Sequence, residues 1–154
     1  MAIRIIDFKT QYAKVFYDLN IEWLKTFFYV EPFDEELLSK PNKYIIEKGG
    51  FIFFAMKNEE VVGTAALIPT ENPEILELTK MAVLPKERGQ KIGQLLLQHC
   101  IDFARAKKLE GLLLYSSTKL ENAIYLYRKY GFKELVLEKD SPYVRSDIKM
   151  MLEF

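Results

Sequence analysis

Three cations in one short stretch of the sequence are suited to binding an anion. Lys86, Arg88 and Lys91 lie within six residues, with Gly89 among them and Gly93 two residues after Lys91. Glycine has no Cβ, so the backbone around it can approach a ligand closely. An amphipathic helix should follow, and the free N–H groups and dipole of a helix N-terminus favour phosphate. We therefore predict a phosphate site here, with pyrophosphate as the better match.

Two familiar phosphate motifs do not fit this stretch, because neither the P-loop spacing G-x-x-x-x-G-K-S/T nor the dinucleotide fingerprint G-x-G-x-x-G occurs. Residues 88–93, RGQKIG, instead resemble motif A of the GNAT superfamily of N-acetyltransferases, Q/R-x-x-G-x-G/A. Lys91 stands where that family usually has glycine. We expect the turn to tolerate it, because the backbone N–H is available whatever the side chain, provided that φ is not positive.

A second stretch resembles motif B of the same superfamily, A-I-x-L-Y-x-K-x-G-F. The pattern runs over residues 123–132, AIYLYRKYGF, at the expected distance downstream. The matching positions are Ala123, Ile124, Leu126, Tyr127, Lys129, Gly131 and Phe132. With the order of elements, the two motifs extend the resemblance over nearly the whole chain, which we read as one domain, 1–154. A noncatalytic acyl-CoA-binding or sensing module is the alternative, and Tyr127 in register favours the enzyme.

The resemblance implies the α+β GNAT fold, with a mixed, mostly antiparallel sheet of about seven strands and about four helices. The sheet splits between two central parallel strands, where acetyl-CoA, the acetyl donor, would bind without a metal. Backbone groups of Met81, Ala82 and Val83 would hold the pantetheine arm, with Val83 the oxyanion donor. Ser117 and Asn122 are further contacts. The pyrophosphate would lie on the turn formed by Arg88, Gly89, Gln90, Lys91, Ile92, Gly93 and Gln94.

Acetyl transfer from a thioester to an amine needs a neutral amine, a stabilised oxyanion and a proton for the leaving thiolate. The resemblance places Tyr127 near the CoA sulfur, and a phenol with a pKa of about 10 stays protonated at neutral pH. The alternative is a tyrosine packed in the core. Glu77 is our candidate base, on the same face as Val83 if side chains alternate along the strand. Its alternative is a solvated strand glutamate.

The acceptor in this fold usually enters opposite CoA, between the first helices and the last strands. Residues 23–34 and 141–147 should therefore select it, through Trp23, Phe28, Tyr29, Glu31, Tyr143 and Arg145. Glu31 could pair with a cationic amine and Arg145 with a carboxylate, which favours a primary amine on a small-molecule or amino-acid-like acceptor. Aromatic core residues beside an ordinary ion pair are the alternative.

Hydrophobic periodicity predicts the elements that position these residues. An opening strand at 2–8 is followed by a helix whose apolar face, from Tyr12 to Phe27, we assign to the core. Pro32 and Pro41 favour two short helices before residue 50. The remaining elements are strands at 51–57, 61–69 and 75–85, a helix at 93–108, a strand at 111–117, a helix at 119–130 and closing strands at 132–139 and 145–154. The strands on either side of the 93–108 helix should be parallel.

Composition narrows the function classes. Lys+Arg and Asp+Glu both number 22, so no overall positive field favours nucleic acid, and a helix-turn-helix at 34–48 would lack a basic recognition helix. The apolar runs are far shorter than the ~20 residues of a membrane helix, so we expect no membrane partner. His99 and Cys100 have no companions at metal or triad spacing, and a packing role is expected.

The cysteine content and the N-terminus bear on where the protein works. One cysteine cannot form an internal disulfide, and the N-terminus MAIRIIDF lacks the apolar stretch of a secretory signal. We therefore expect a cytoplasmic protein. Edge strands near the C-terminus could pair between subunits, so a homodimer is compatible with the sequence.

Overall fold

A computed structural model of the chain describes residues 2–154. Over that range the strands are β1 (Ile3–Asp7), β2 (Phe51–Lys57), β3 (Glu60–Pro69), β4 (Ile75–Val83), β5 (Gly111–Ser116), β6 (Lys133–Leu135) and β7 (Ile148–Glu153). The α-helices are α1 (Ala13–Phe27), α2 (Pro32–Ser39), α3 (Ile92–Ala106) and α4 (Glu121–Lys129). Short 3-10 turns at Thr10–Tyr12 and Pro85–Glu87 and a π-helical turn at Asn42–Ile46 complete the regular structure.

The strands form one sheet in the order β1-β2-β3-β4-β5-β7-β6. Neighbouring strands run antiparallel except β4 and β5, which flank α3 in sequence and are parallel. The prediction of a mixed, mostly antiparallel α+β sheet is confirmed. Pairing between β4 and β5 covers only residues 75–77 and 111–113, so the sheet opens beyond that point.

Apolar side chains pack on both faces of the sheet. Leu96, Leu97 and Cys100 of α3 belong to the cluster on one face, and Phe16 and Leu19 of α1 belong to the cluster on the other. The middle strands β2 and β3 are apolar almost throughout because both of their faces are covered. The helices therefore cover both faces of the sheet, and the opening between β4 and β5 stays accessible.

A β-bulge in β4 changes which side chains share a face. Lys80 has a φ of 55°, and the register between β3 and β4 shifts there. Glu77 pairs with Ile68 and Val83 pairs with Gly63, two β3 positions that face opposite sides of the sheet. The prediction that Glu77 and Val83 share a face is therefore wrong, because the extra residue of the bulge breaks the alternation.

The last strands are shorter than predicted. β6 ends at Leu135, and β7 begins only at Ile148. Residues 136–147 between them form a loop, which we call the acceptor loop because it contains the segment 141–147 predicted to select the acceptor. Arg145 lies in it rather than on a strand. Pro142 within this segment has no N–H to donate to a strand ladder. The second predicted short helix is reduced to the π-helical turn after Pro41, whereas α2 begins at Pro32 as expected.

Candidate active site

A cavity of about 440 Å³ occupies the opening between β4 and β5. α1 forms one wall, α4 another, and the acceptor loop covers part of the rim. Side chains from these elements that line it include Trp23, Phe27, Met81, Tyr127 and Tyr143. Because the pairing of β4 with β5 stops at residues 77 and 113, the backbone edges of both strands beyond that point border the cavity.

The turn between β4 and α3 lies at one end of this cavity. Its backbone is left-handed at two positions, with φ of 86° at Gly89 and 64° at Lys91. The expectation that Lys91 avoids positive φ is therefore wrong: Lys91 is the N-cap of α3 and adopts a conformation that glycine would adopt without strain. At Gly93, which lines the cavity, an added Cβ would meet only the Met81 sulfur, at 3.9 Å. The helix N-terminus is consequently open to a ligand.

Arg88 bridges this turn to α1. Its Nη2 donates to Glu22 Oε1 at 2.6 Å, and its guanidinium lies 5.3 Å from the centre of the Phe27 ring. Glu22 was not among the residues predicted for the site, because only the fold brings it to the turn. Gln94, in the first turn of α3, donates to the Tyr130 hydroxyl at 3.2 Å and so ties α3 to α4.

Tyr127 reaches the cavity from α4. Its ring is half-buried, 5.8 Å from the Phe132 ring. No hydrogen bond within residues 2–154 engages its hydroxyl group. Burial raises the pKa of Tyr127 to about 12, so the hydroxyl carries its proton throughout the neutral range. The ring packs on the core, and the residue also lines the cavity.

Glu77 is buried and hydrogen-bonded rather than solvated. Its side chain accepts the hydroxyl hydrogen of Tyr143, with 2.9 Å between Tyr143 Oη and Glu77 Oε2. Burial raises the pKa of Glu77 above its ordinary value. Tyr143 lines the cavity, whereas Glu77 lies behind it.

Glu31 and Arg145 pair with each other instead of offering separate charges to a ligand. Arg145 Nη1 donates to Glu31 Oε2 at 2.7 Å and to Asp34 Oδ2 at 2.6 Å, and Lys80 Nζ donates to Asp34 Oδ1 at 3.0 Å. Asp34 is fully buried, and burial alone would raise its pKa, but Arg145 and Lys80 outweigh burial and lower it. We call these four residues the ionic cluster. Because Glu31 and Arg145 pair with each other, the prediction that they bind the two charges of a zwitterion is corrected.

Comparison with known proteins identifies the family. Residues 17–132 match the acetyltransferase (GNAT) family, about three quarters of the chain. The chain belongs to this family. The rat N-acetyltransferase 8B (Rattus norvegicus) is 32% identical over 95 residues, which cover 59% of this chain and 43% of that protein. The chain thus spans less than half the length of this relative.

Solved structures establish the GNAT fold over the whole chain. A GNAT-family acetyltransferase from Staphylococcus aureus Mu50 has a TM-score of 0.85 at 24% identity and covers 99% of both chains. The PaiA N-acetyltransferase of Thermoplasma acidophilum, solved in complex with coenzyme A, has a TM-score of 0.76 at 18% identity and covers 100% of both chains. At these identities the likeness concerns the fold.

The GNAT fold brings many of the predicted residues to the cavity wall, namely Trp23, Met81, Val83, Arg88, Gly93, Ser117, Asn122, Tyr127, Tyr143 and Arg145. Ala82 is buried on the other face of β4, whereas Gly89, Gln90, Lys91, Ile92 and Gln94 belong to the turn and the start of α3. Tyr29 is 52% exposed and lies outside the wall, as does Glu31. Apart from the zwitterion site of Glu31 and Arg145, which is corrected above, the substrate and cofactor roles of these residues remain predictions.

Sequence reasoning missed part of the α1 wall. Asn20 and Leu24 line the cavity, and so does Phe27, which the apolar periodicity assigns to the core. Phe28 also lines it, and this residue lies in the segment predicted to select the acceptor. Helical periodicity marks an apolar face but does not distinguish a packed partner from a cavity. The one available signal was the density of aromatic residues at 23–29, which exceeds what a narrow core stripe needs.

Residues outside the cavity behave as packing groups. The His99 ring lies 4.6 Å from the Phe53 ring, and burial lowers the pKa of His99. Cys100 is fully buried, which raises the pKa of its thiol. Among residues 2–154, no three His, Cys, Asp or Glu side chains are grouped so as to hold a metal ion. Within the same range no helix combines the length and apolar character that crossing a membrane requires.

Proposed function

We propose that the protein is an N-acetyltransferase that moves an acetyl group from acetyl-CoA to a primary amine of a small-molecule or amino-acid-like acceptor, by direct attack of the amine. One observation carries the proposal. Tyr127, the open α3 N-terminus and the unpaired edge of β4 border a single cavity at the split of the sheet. A cytoplasmic location and homodimerisation stay predictions from the sequence.

The donor would extend along the split. The pyrophosphate would be held by backbone N–H groups at the start of α3, where the helix dipole favours negative charge, and by Arg88. The pantetheine arm would follow the β4 edge past Met81, with a Val83 N–H available for the oxyanion. The absence of a Cβ at Gly93 supports this path. The coenzyme A complex of the Thermoplasma relative with the same fold also supports CoA as the carrier.

Tyr127 would protonate the leaving thiolate. Its hydroxyl stays protonated because burial raises its pKa, and the absence of a hydrogen-bond partner within residues 2–154 leaves that proton free for the sulfur. Glu77 would be the base that takes the proton of the amine.

The test measures release of free CoA thiol from acetyl-CoA across a panel of amino acids, polyamines, aminoglycosides, arylalkylamines and peptide N-termini. With the best amine, Tyr127→Phe should lower kcat by about 10²-fold or more, because general acid catalysis contributes that much. Acetyl-CoA affinity should change little. Tyr125→Phe is the matched control, since Tyr125 is 70% exposed on the same helix.

Two results would contradict the proposal in different ways. If acetyl-CoA binds but no amine releases thiol faster than water does, the protein is a noncatalytic acyl-CoA-binding module. If an amine is acetylated and Tyr127→Phe retains full kcat, another group protonates the thiolate.

A further inference from the structure

Tyr143 stands between the cavity and Glu77. It belongs to the acceptor loop, is 4% exposed, and lines the cavity. Its hydroxyl donates to Glu77 Oε2 at 2.9 Å. Glu77 itself is outside the cavity wall, so a proton moving from the cavity to this carboxylate has Tyr143 in its way.

The hydrogen bonds around Tyr143 leave it able to accept a proton. A phenol has one hydrogen and two lone pairs, and here the hydrogen goes to Glu77. The Thr79 hydroxyl lies 3.3 Å from Tyr143 Oη and must then be the donor in that contact. One lone pair of Tyr143 Oη therefore remains for a group arriving from the cavity.

We propose that Tyr143 takes the proton of the acceptor ammonium and passes its own hydroxyl proton to Glu77. An N–H bond of the ammonium breaks as an O–H bond forms on Tyr143 Oη, while the original Tyr143 O–H bond breaks and an O–H bond forms on Glu77 Oε2. The nitrogen keeps the electron pair with which it attacks the thioester. Tyr143 is unchanged overall, and the carboxylate and the ammonium both become neutral. This inference rests on the proposed acetyltransferase function.

The surroundings of Glu77 favour a stronger base than an exposed glutamate would be. Burial raises its pKa, against the hydrogen bond from Tyr143 and the charge of Lys80, which lower it. A base is most effective when its pKa approaches the working pH. The ionisable groups that act on this pair, from β4, β5 and the acceptor loop, are Lys80, Tyr115, Glu138 and Arg145.

The ionic cluster holds Tyr143 in this position. Arg145 is two residues away on the same loop and is bound by two Asp34 oxygens, at 2.6 Å and 3.1 Å. Lys80, the bulge residue of β4, also binds Asp34 and lies 4.6 Å from the centre of the Tyr143 ring. The acceptor loop is thus fixed to α2 and β4, which keeps the hydroxyl group within reach of Glu77.

The pH profile of kcat/KM tests the relay, with acetyl-CoA and 2-phenylethylamine, whose ring suits the aromatic cavity wall, or a faster amine from the thiol-release panel. Tyr143→Phe and Glu77→Gln should each lower kcat/KM at pH 7 by about 10²-fold. Both losses should shrink as the pH approaches the pKa of the amine, because free amine then needs no base. The double variant should lose little more than either single variant, since both residues serve one proton transfer.

Two comparisons separate this relay from packing and from the other proton transfer. Phe33→Leu removes an aromatic contact 5.8 Å from the Tyr143 ring and leaves the hydroxyl in place, so any loss should be equal at all pH values. Tyr127→Phe should likewise show a loss that high pH does not relieve.

The possible failures are distinguishable. A loss in Tyr143→Phe that is the same at every pH overturns the relay and leaves Tyr143 a packing role. An unchanged profile in Glu77→Gln overturns it as well, and water then takes the proton. If no amine releases thiol from the wild type, the proposed function fails and the relay fails with it.

Discussion

The two ends of the cavity are built from different parts of the chain. We call the end at the turn between β4 and α3 the turn end, and the end at the ionic cluster and the acceptor loop the acceptor end. At the turn, residues 88–93 offer backbone N–H groups, two left-handed positions and one guanidinium, all from adjacent residues. At the acceptor end, a buried tyrosine, a buried glutamate and the ionic cluster come from α2, β4 and the acceptor loop. The first end is local in sequence, and the second depends on long-range contacts.

Because of this difference, substitutions at the turn should change mainly ligand affinity, whereas substitutions in the ionic cluster should change mainly the stability of the fold. Backbone donors and partly exposed cations at the turn cost the fold little when they change, but they would contact the phosphate groups of the donor directly. A buried ionic cluster behaves in the opposite way, because removing one member leaves a buried charge without full compensation away from water. Substitutions at the two ends should therefore produce distinct effects.

The largest effect is expected at the acceptor end. Asp34→Asn removes the charge that compensates buried Lys80 and Arg145, and breaking a buried pair costs about 3–5 kcal/mol. Urea unfolding at pH 7 measures the change in the free energy of unfolding. Asp18→Asn is the control, because the Asp18 pair with Lys14 is exposed and should be worth less than about 1 kcal/mol. A small loss for Asp34→Asn would remove the contrast between the two ends.

The pH dependence of unfolding provides a second check on Asp34. Its pKa is lowered in the folded protein, so the stability it contributes is present above its ordinary value of 3.8. That stability is lost as the pH falls through the lowered pKa. Wild type and Asp34→Asn should therefore converge in stability in strong acid and diverge towards neutral pH.

The next effect is expected at the turn. Arg88→Ala should weaken acetyl-CoA binding about 10-fold, because a charge-assisted hydrogen bond is worth about 1.5–3 kcal/mol and Glu22 already occupies part of the guanidinium. Titration calorimetry with acetyl-CoA and with acetyl-pantetheine, which lacks the pyrophosphate, measures the difference. An equal loss for both ligands would mean that Arg88 does not contact the pyrophosphate.

Two companion variants sharpen this prediction. Glu22→Gln frees the Arg88 guanidinium from a competing carboxylate and should tighten acetyl-CoA binding a few-fold. Lys86→Ala should change affinity less than Arg88→Ala, because Lys86 is exposed and pairs with Glu60 at 3.2 Å. If Lys86→Ala and Arg88→Ala weaken acetyl-CoA binding equally, the effect is one of general electrostatics and not of a specific contact with Arg88.

The smallest effect concerns the strained backbone of the turn. Lys91 has a φ of 64°, which costs a residue with a side chain roughly 1–2 kcal/mol. Lys91→Gly should therefore stabilise the protein by up to about 1 kcal/mol in urea unfolding, after the greater chain entropy of glycine is subtracted. Lys25→Gly, in the exposed part of α1, should instead destabilise by about 1 kcal/mol. Destabilisation by Lys91→Gly would show that the lysine side chain makes contacts that outweigh the strain.

Much of the fold could be predicted from the sequence, whereas the left-handed backbone at Lys91 could not, because a lysine does not mark a positive φ. The parallel pair around α3, the start of α2 at Pro32 and the end of α4 before Gly131 follow from periodicity and from residues with particular backbone preferences. The predicted alternation of side chains along β4 was wrong, because no residue type at this position indicates the bulge at Lys80. The predicted length of the last strands was also wrong, because the apolar run at residues 135–137 resembles a strand, yet the paired strand β6 ends at Leu135.

The sequence by itself determined the α+β class, the order of the elements and the two GNAT motifs, because each depends on residues a few positions apart. Only the tertiary structure decided that Tyr143 stands in front of Glu77, that Arg145 and Lys80 both bind Asp34, and that Glu22 meets Arg88. These contacts join residues between 46 and 111 positions apart in the chain. Their pairing depends on how the β4 bulge and the acceptor loop pack against α1 and α2. Sequence patterns over a few residues do not specify contacts between positions so far apart.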